Sequence, residues 1–194
     1  RVNNHMSEKN LPSLDDIRNA AKRLQNYAIR TPLLKSIPLS EALEAQVFIK
    51  PENLQRVGAF KFRGAYNRLC QVTADEKGRG VVSFSSGNHA QGVAAAAKML
   101  GIRATIVMPS DAPVMKRDNT IAYGATVIEY DREKESREEI AAKIAAKQGC
   151  IVVPSFEDFH IISGQGTAGL EVVEQGREQG VSFDAFYCPI GGAG

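Results

Sequence analysis

Three segments of the chain put residues capable of chemistry where the backbone is expected to turn. The first, Pro51-Glu52-Asn53-Leu54-Gln55-Arg56-Val57-Gly58-Ala59-Phe60-Lys61-Phe62-Arg63-Gly64, sets Lys61 between two aromatics near a helix start. The positive end of a helix dipole, the nearby Arg63 and partial desolvation would all favour a neutral amine, the form that Schiff-base chemistry needs. Read by itself, Lys61 is also a solvated lysine beginning a helix. The second segment, Ser85-Ser86-Gly87-Asn88-His89-Ala90-Gln91-Gly92, links a strand to a helix. Its backbone N–H groups and hydroxyls can face a carboxylate or phosphate, or one Ser or Asn can simply cap the helix. His89 reads as a helix-start or packing histidine rather than a metal ligand. The third, Gly191-Gly192-Ala193-Gly194, follows a strand and is either a phosphate cup or a tight turn without a ligand.

A fourth pattern is a decoy. Gly164-Gln165-Gly166-Thr167-Ala168-Gly169 satisfies G-x-G-x-x-G, and Asp184 lies 20 residues beyond Gly164. A dinucleotide fingerprint needs a strand feeding straight into its first glycine, and here Asp158 to Ser163 intervenes. Close packing of a helix start against a sheet is the preferred account of these glycines.

The elements that must hold these segments alternate. Val81–Ser85, Ala104–Met108, Thr126–Tyr130 and Cys150–Val153 are short, β-branched-rich apolar runs. Between them the spacing predicts helices over His89–Leu100, Val114–Tyr123 and Arg132–Gln148, followed by Gly101, Gly124 and Gly149 as C-terminal caps. Strand starts recur every 21 to 24 residues, the length of a βαβ unit with tight turns, which predicts a small parallel α/β sheet. Outside it, Ser13-x-x-Asp16 resembles a capping box before a helix, and a second short helix is expected to open at Ser40. Val47–Lys50 reads as a further strand, Lys61–Cys70 as a further helix and Ala185–Ile190 as a last strand. A glycine-rich exit from a strand exists to deliver the chain into a helix, so the 194 residues are expected to be the front part of a longer protein.

Composition narrows the function classes. Hydrophobic residues make up 43% and charged residues 24%, enough for a folded core. A net charge of +2 offers no electrostatic case for a nucleic-acid or anionic-membrane partner. No apolar run approaches the roughly 20 residues that span a bilayer, and no signal-peptide pattern is visible, so a cytoplasmic location is expected. Cys70, Cys150 and Cys188 form no CxxC and come without clustered histidines, which argues against a disulfide scaffold or a zinc site. Residues 1–10 are patternless, with His5-Met6 resembling a cloning junction, and are read as a tag or disordered lead before a native start at Met6.

Taken in order, the motifs resemble the fold type II pyridoxal-phosphate enzymes, and within them the threonine and serine dehydratases, with serine racemase a near relative. The likeness runs from Ser13 to Gly194. It is strongest in Glu52-Asn53-Leu54-Gln55 through Phe60-Lys61-Phe62-Arg63-Gly64-Ala65, in Ser85–His89, in Gly164-Gln165-Gly166-Thr167 and in the terminal glycine turn. The resemblance implies that Lys61 forms a Schiff base with pyridoxal phosphate and then serves as the base at Cα. Phe60 would pack on the cofactor ring and Asn88 would hydrogen-bond its 3'-hydroxyl. Ser85, Ser86, Gly87, Asn88 and His89 would hold the substrate carboxylate, with Ser86 where racemase-like members exchange a proton on the opposite face. Gly191, Gly192, Ala193 and Gly194 would wrap the phosphate. Arg137 matches a position near the substrate in serine racemase, and otherwise reads as an exposed helix arginine.

The chain departs from the family pattern at Ala59, where Ser is usual, at Ala90, where Gly often stands, and at Ala193, which restricts φ in the glycine turn. The fold expected from the resemblance is α/β with parallel sheets and helices on both faces, the large domain being cut short. Residues 11–79 and 158–194 would form two parts of that domain, around a small inserted domain over 80–157. The implied function is a dehydratase converting L-threonine or L-serine to a 2-oxo acid and ammonia, with a small amino acid as substrate, no metal, and a homodimer in the full-length parent. Alternatives are a serine racemase or 3-hydroxyaspartate dehydratase, and an inactive fragment or partner-binding module. Ser-Ser-Gly-Asn-His in place of Thr-Ser-Gly-Asn-Thr disfavours a cysteine-synthase-like branch.

Overall fold

Ser13 and Asp16 cap the first helix reciprocally: the Ser13 hydroxyl accepts from the Asp16 amide (3.2 Å) and the Asp16 carboxylate from the Ser13 amide (2.8 Å). This helix, α1 (Leu14–Leu24), opens a computed structural model that describes residues 11–189. Next come β1 (Leu34–Lys35), α2 (Ile37–Ala42) and β2 (Phe48–Ile49), the two strands pairing antiparallel. The short helix starts three residues before Ser40, because Pro38 sits in its first turn, where a missing N–H leaves no bond unmade.

After two 3-10 turns the chain enters α3 (Lys61–Leu69). It is followed by α4 (Ala74–Arg79), a six-residue helix too short to show a period, although Thr73 and Glu76 form a second capping box. The core then alternates strictly: β3 (Val81–Phe84), α5 (Asn88–Leu100), β4 (Ala104–Pro109), α6 (Val114–Ala122), β5 (Thr126–Tyr130), α7 (Arg137–Gln148), β6 (Ile151–Val153) and α8 (Phe159–Glu178). The four strands β3 to β6 form one parallel sheet in the order β5-β4-β3-β6. Gly101, Gly124 and Gly149 take φ of 66°, 89° and 66° at the helix exits, a conformation that a side chain would strain.

Both faces of the sheet are covered, as parallel sheets require. Val81, Ala104, Ile106, Met108 and Val153 join α3 and α5 in one core, while Val82, Val107, Tyr130 and Cys150 pack with Ala141 of α7 on the other. Helix α5 is buried from His89 to Ala97 because it is wedged between the sheet and α3. Among the described residues no helix is long and apolar enough to cross a membrane.

Three expectations need correction. Helix α7 starts at Arg137 rather than Arg132, because the Asp131 carbonyl accepts from Lys134 and Glu135 in a turn and Ser136 then caps the helix. The G-x-G-x-x-G run lies inside α8, where Gly164 packs against α3 rather than marking a helix start on the sheet. Residues 185–189 form no strand: among the described residues no neighbour offers them a ladder, and Phe186 and Tyr187 are exposed. Residue 190 and the glycine turn lie outside the described residues.

Candidate active site

Lys61 is the first residue of α3, and the chain is turned into it by Val57 (φ 59°) and Gly58 (φ 68°). A β-branched residue at positive φ is strained, a feature that clusters where a loop must hold a particular shape. The Lys61 Nζ donates to the Ser155 carbonyl (2.9 Å) and lies 5.3 Å from the centre of the half-exposed Phe60 ring. Burial pushes its pKa below the ordinary lysine value. Among the described residues it makes no ion pair, so the amine is held by one neutral acceptor and no carboxylate offsets the cost of burying its charge.

Arg63 does not contribute to that shift, contrary to the sequence expectation, because its charge is neutralised elsewhere. Fully buried, it donates Nε and Nη2 to Glu52 (both 2.8 Å) and Nη1 and Nη2 to Glu171 (2.7 and 2.9 Å). Lys50 joins from the other side, its Nζ meeting Glu171 (2.5 Å), the Thr31 carbonyl (2.7 Å) and Gln175 (2.8 Å). Burial alone would raise the Glu52 carboxyl, but hydrogen bonds from Arg63 and Thr31 outweigh it and hold the group below its usual range. Two cations and two carboxylates thus balance in a cluster that ties the loop before Lys61 to α3 and α8. No local pattern announces it, since Arg63 and Glu171 are 108 residues apart.

The Ser85–His89 loop leaves the sheet beside this amine. The Ser85 amide extends the β3 ladder to the Val107 carbonyl (3.1 Å), and its hydroxyl accepts from the Gly87 amide (3.2 Å). Ser86 and Asn88 are exposed, Gly87 is half-buried, and the Asn88 Oδ1 accepts from Lys116 Nζ (2.6 Å). His89 turns inward: it is 2% exposed, its Nε2 lies 3.5 Å from the Val153 carbonyl, and its Nδ1 is buried without a partner. Burial, reinforced by the Lys61 charge, lowers its pKa to about 4, so the imidazole is neutral. Ser83 Oγ donates to the Val153 carbonyl (2.6 Å) and Ser155 Oγ to the Phe84 carbonyl (3.2 Å). The strand end that carries the loop and the strand end that receives Lys61 are therefore laced together.

On the outer side of the loop lies a cleft of about 40 Å³ lined by Ser85, Ser86, Pro109, Tyr130, Arg132 and Arg137. Its floor is the C-terminal edge of β3, β4 and β5, the edge where open α/β sheets take ligands. Arg137 stacks 5.2 Å over the Phe84 ring and donates to Glu138 (2.7 Å); Arg132 donates Nε and Nη2 to Asp111 (3.0 and 2.7 Å). The structure brings Lys61, Phe60 and Ser85–His89 to one end of the sheet, with Arg137 beside the two serines. Arg132 and Tyr130 went unanticipated, although the end of β5 was a readable clue. Gly191, Gly192, Ala193 and Gly194 lie outside the described residues.

An amine that meets no carboxylate among the described residues, an aromatic face next to it and a loop of amides and hydroxyls make a donor set suited to an aromatic aldehyde carrying anionic groups. Pyridoxal phosphate is such a molecule, and the residues present fit it.

Comparison with known proteins agrees. Residues 24–194 match the family model described as pyridoxal-phosphate dependent enzyme. The chain is 44% identical over 184 residues to L-threo-3-hydroxyaspartate ammonia-lyase of Saccharomyces cerevisiae, covering 95% of this chain and 55% of that protein. It is 45% identical over 184 residues to serine racemase of Schizosaccharomyces pombe, covering 95% and 56%. The solved maize serine racemase superposes with a TM-score of 0.82 at 40% identity, over 86% of this chain and 50% of that one. The chain spans about half the length of the curated relatives it matches.

Proposed function

This chain belongs to the pyridoxal-phosphate dependent enzyme family, and from that membership we propose that it serves a dehydratase removing ammonia from a small β-hydroxy amino acid, L-threonine or L-serine. The observation that carries the reading is the meeting of the Lys61 amine with the Ser85–Asn88 loop across the laced ends of β3 and β6. Pyridoxal phosphate, when bound, supplies an electron sink for the pair released as the Cα–H bond breaks. Lys61 would hold the cofactor through its amine and, once released to the substrate, would take that proton at Nζ; burial, which lowers its pKa, favours the neutral amine this role needs. Phe60 offers its ring as a stacking face, and Asn88 hydrogen-bonds the ring oxygen. The Ser85 and Ser86 hydroxyls and the Ser86 amide hold the substrate carboxylate, while the Ser85 and Gly87 amides stay in the bonds that shape the loop, and neutral His89 fills the space behind them without adding charge. Gly191 to Gly194 are the proposed phosphate turn. The net change is threonine to 2-oxobutyrate plus ammonia, the β-hydroxyl leaving as water and water replacing the amino group.

A second reading, a dehydratase for 3-hydroxyaspartate, is favoured by the Arg132 and Arg137 guanidinium groups around the cleft at Ser85 and Ser86, which suit a second carboxylate. Intact mass after incubation with pyridoxal phosphate and borohydride reduction tests the common core. One cofactor adduct, lost in Lys61→Ala, is expected; an unmodified parent chain, or an adduct retained in the variant, would refute it. Product analysis with threonine, serine and 3-hydroxyaspartate then separates the readings. Arg137→Ala should lower kcat/KM for hydroxyaspartate at least about tenfold more than for threonine if the cleft holds a carboxylate.

A further inference from the structure

Besides the bond from Lys98 Nζ to the Ala122 carbonyl (3.3 Å), helices α5 and α6 meet through two bonds between side chains, set one turn apart on each helix. Lys116 Nζ donates to Asn88 Oδ1 (2.6 Å), and Asn119 Nδ2 donates to Gln91 Oε1 (3.1 Å). Both pairs span 28 residues, so the register of one helix on the other repeats from the first pair to the second. Thr120, fully buried in the same turn of α6, donates its hydroxyl to the Lys116 carbonyl (2.7 Å) and anchors the backbone that delivers the lysine.

The consequence lies in the chemistry of an amide. A side-chain amide can present either its oxygen or its NH2 to a ligand, and the choice is made by whatever fixes its other end. An ammonium group carries only donors, so Lys116 holds the Asn88 oxygen and leaves the NH2 to face away from it. We propose that Lys116 is a positioning residue: it locks the Asn88 amide with its NH2 toward the cofactor, making Asn88 an obligate donor to the phenolic oxygen of pyridoxal phosphate. The assignment rests on the functional reading above, in which Asn88 meets that oxygen.

A donor that cannot turn over favours the deprotonated oxygen, and the nearby ammonium charge acts in the same direction. An amide free to rotate would also offer its carbonyl, which favours the protonated phenol. Lys116 thus sets the proton distribution on the ring without touching it, from a helix that supplies no other part of the site.

The test compares the parent protein with Lys116→Met and Lys116→Arg, each loaded with pyridoxal phosphate at one pH. The absorption spectrum of the bound cofactor separates phenolate from phenol forms. The expected result is a rise of roughly tenfold or more in the phenol-to-phenolate ratio in Lys116→Met, the effect of losing a hydrogen bond to a charged group, and a near-parental spectrum in Lys116→Arg. If Lys116→Met fails to fold, Lys116→Gln, which keeps a donor without the charge, should give a smaller rise in the same direction. In cofactor-free protein, the Asn88 side-chain NH2 resonances should move in the Met or Gln variant. A parental spectrum in the variant, or unmoved Asn88 resonances, overturns the assignment while leaving the functional reading intact. Absence of a borohydride-fixed adduct at Lys61 in the parent overturns the functional reading, and this assignment with it.

Discussion

Gly164, Gly166 and Gly169 offer one substitution, Gly→Ala, in three environments on a single helix. At Gly164 a Cβ would sit 2.6 Å from the Gly64 Cα, 2.7 Å from the Arg63 carbonyl and 2.9 Å from the Asn67 Cβ. The first two belong to the α3 backbone and cannot swing aside, so α3 and α8 would have to part by roughly 1 Å to restore ordinary carbon contacts. Overpacking of this kind costs about 1–3 kcal/mol. The upper end applies here because the same seam carries the Gly64 amide to Gln165 bond, the Asn67 to His160 bond and the Arg63 cluster. Against that stands the gain of about 1 kcal/mol from replacing a glycine inside a helix. The net loss is about 2 kcal/mol, or a fall in Tm of roughly 4–8 °C for a chain of this length. At Gly166 the nearest atoms are all in the Ile17 side chain, Cδ1 at 2.9 Å, Cγ1 at 3.1 Å and Cγ2 at 3.6 Å; this side chain can turn where backbone cannot, so its adjustment should roughly cancel the helix gain and leave the change near neutral. At Gly169 nothing lies within 4 Å, so the helix gain of about 1 kcal/mol should appear undiluted. Urea denaturation followed by circular dichroism, together with thermal melts, would rank the three. A Gly164→Ala protein as stable as its parent, or a Gly169→Ala protein that loses stability, would refute the reasoning.

The charged interior carries two more predictions. His89 has a folded pKa of about 4, below its ordinary 6.5, so the unfolded chain takes up the proton first as pH falls. The stability it contributes is complete above about pH 6.5 and is lost between 6.5 and 4, on the order of 3 kcal/mol at most. His160, also lowered by burial, adds in the same direction. Urea midpoints should therefore rise with pH across this window and flatten in His89→Gln; a slope unchanged by the substitution would count against it. In the Arg63 cluster, Glu171→Gln leaves two buried cations facing one carboxylate and should cost about 3 kcal/mol. Adding Lys50→Met, which restores neutrality, should recover part of that loss in a double-mutant cycle.

Much of the framework was legible because it is written locally. The βαβ alternation, the glycine exits at 101, 124 and 149 and the Ser13 capping box each depend on residues a few positions apart, and each stands in the structure. The Arg132 start of α7 failed because its residues look helical, while the competing turn at Asp131 is made by backbone bonds that no period reveals. The glycine run of α8 was misjudged for a related reason: a close approach has a recognisable sequence, but the surface approached does not. The candidate site divides in the same way. Lys61 and the Ser85–His89 loop carry their chemistry in their residue types, whereas the Arg63 cluster, the Lys116 grip on Asn88 and the placing of Arg132 arise only when distant segments meet.

The contacts that hold α3 also govern when it can be completed. Lys61 reaches Ser155, Gly64 reaches Gln165, Asn67 reaches His160 and Arg63 reaches Glu171, separations of 94, 101, 93 and 108 residues. Pairings of such long range must await loop closure and therefore form late. On a chain growing from its N-terminus, the helix bearing the reactive amine is made early yet waits for α8. Until then Phe62, Ala65 and Leu69 lack one of the surfaces that bury them, and Arg63 lacks Glu171. The seam between α3 and α8 can therefore close only once residues 155–171 have been made, ahead of the still longer-range bonds that tie Arg30, Thr31 and Leu33 to the far end of α8.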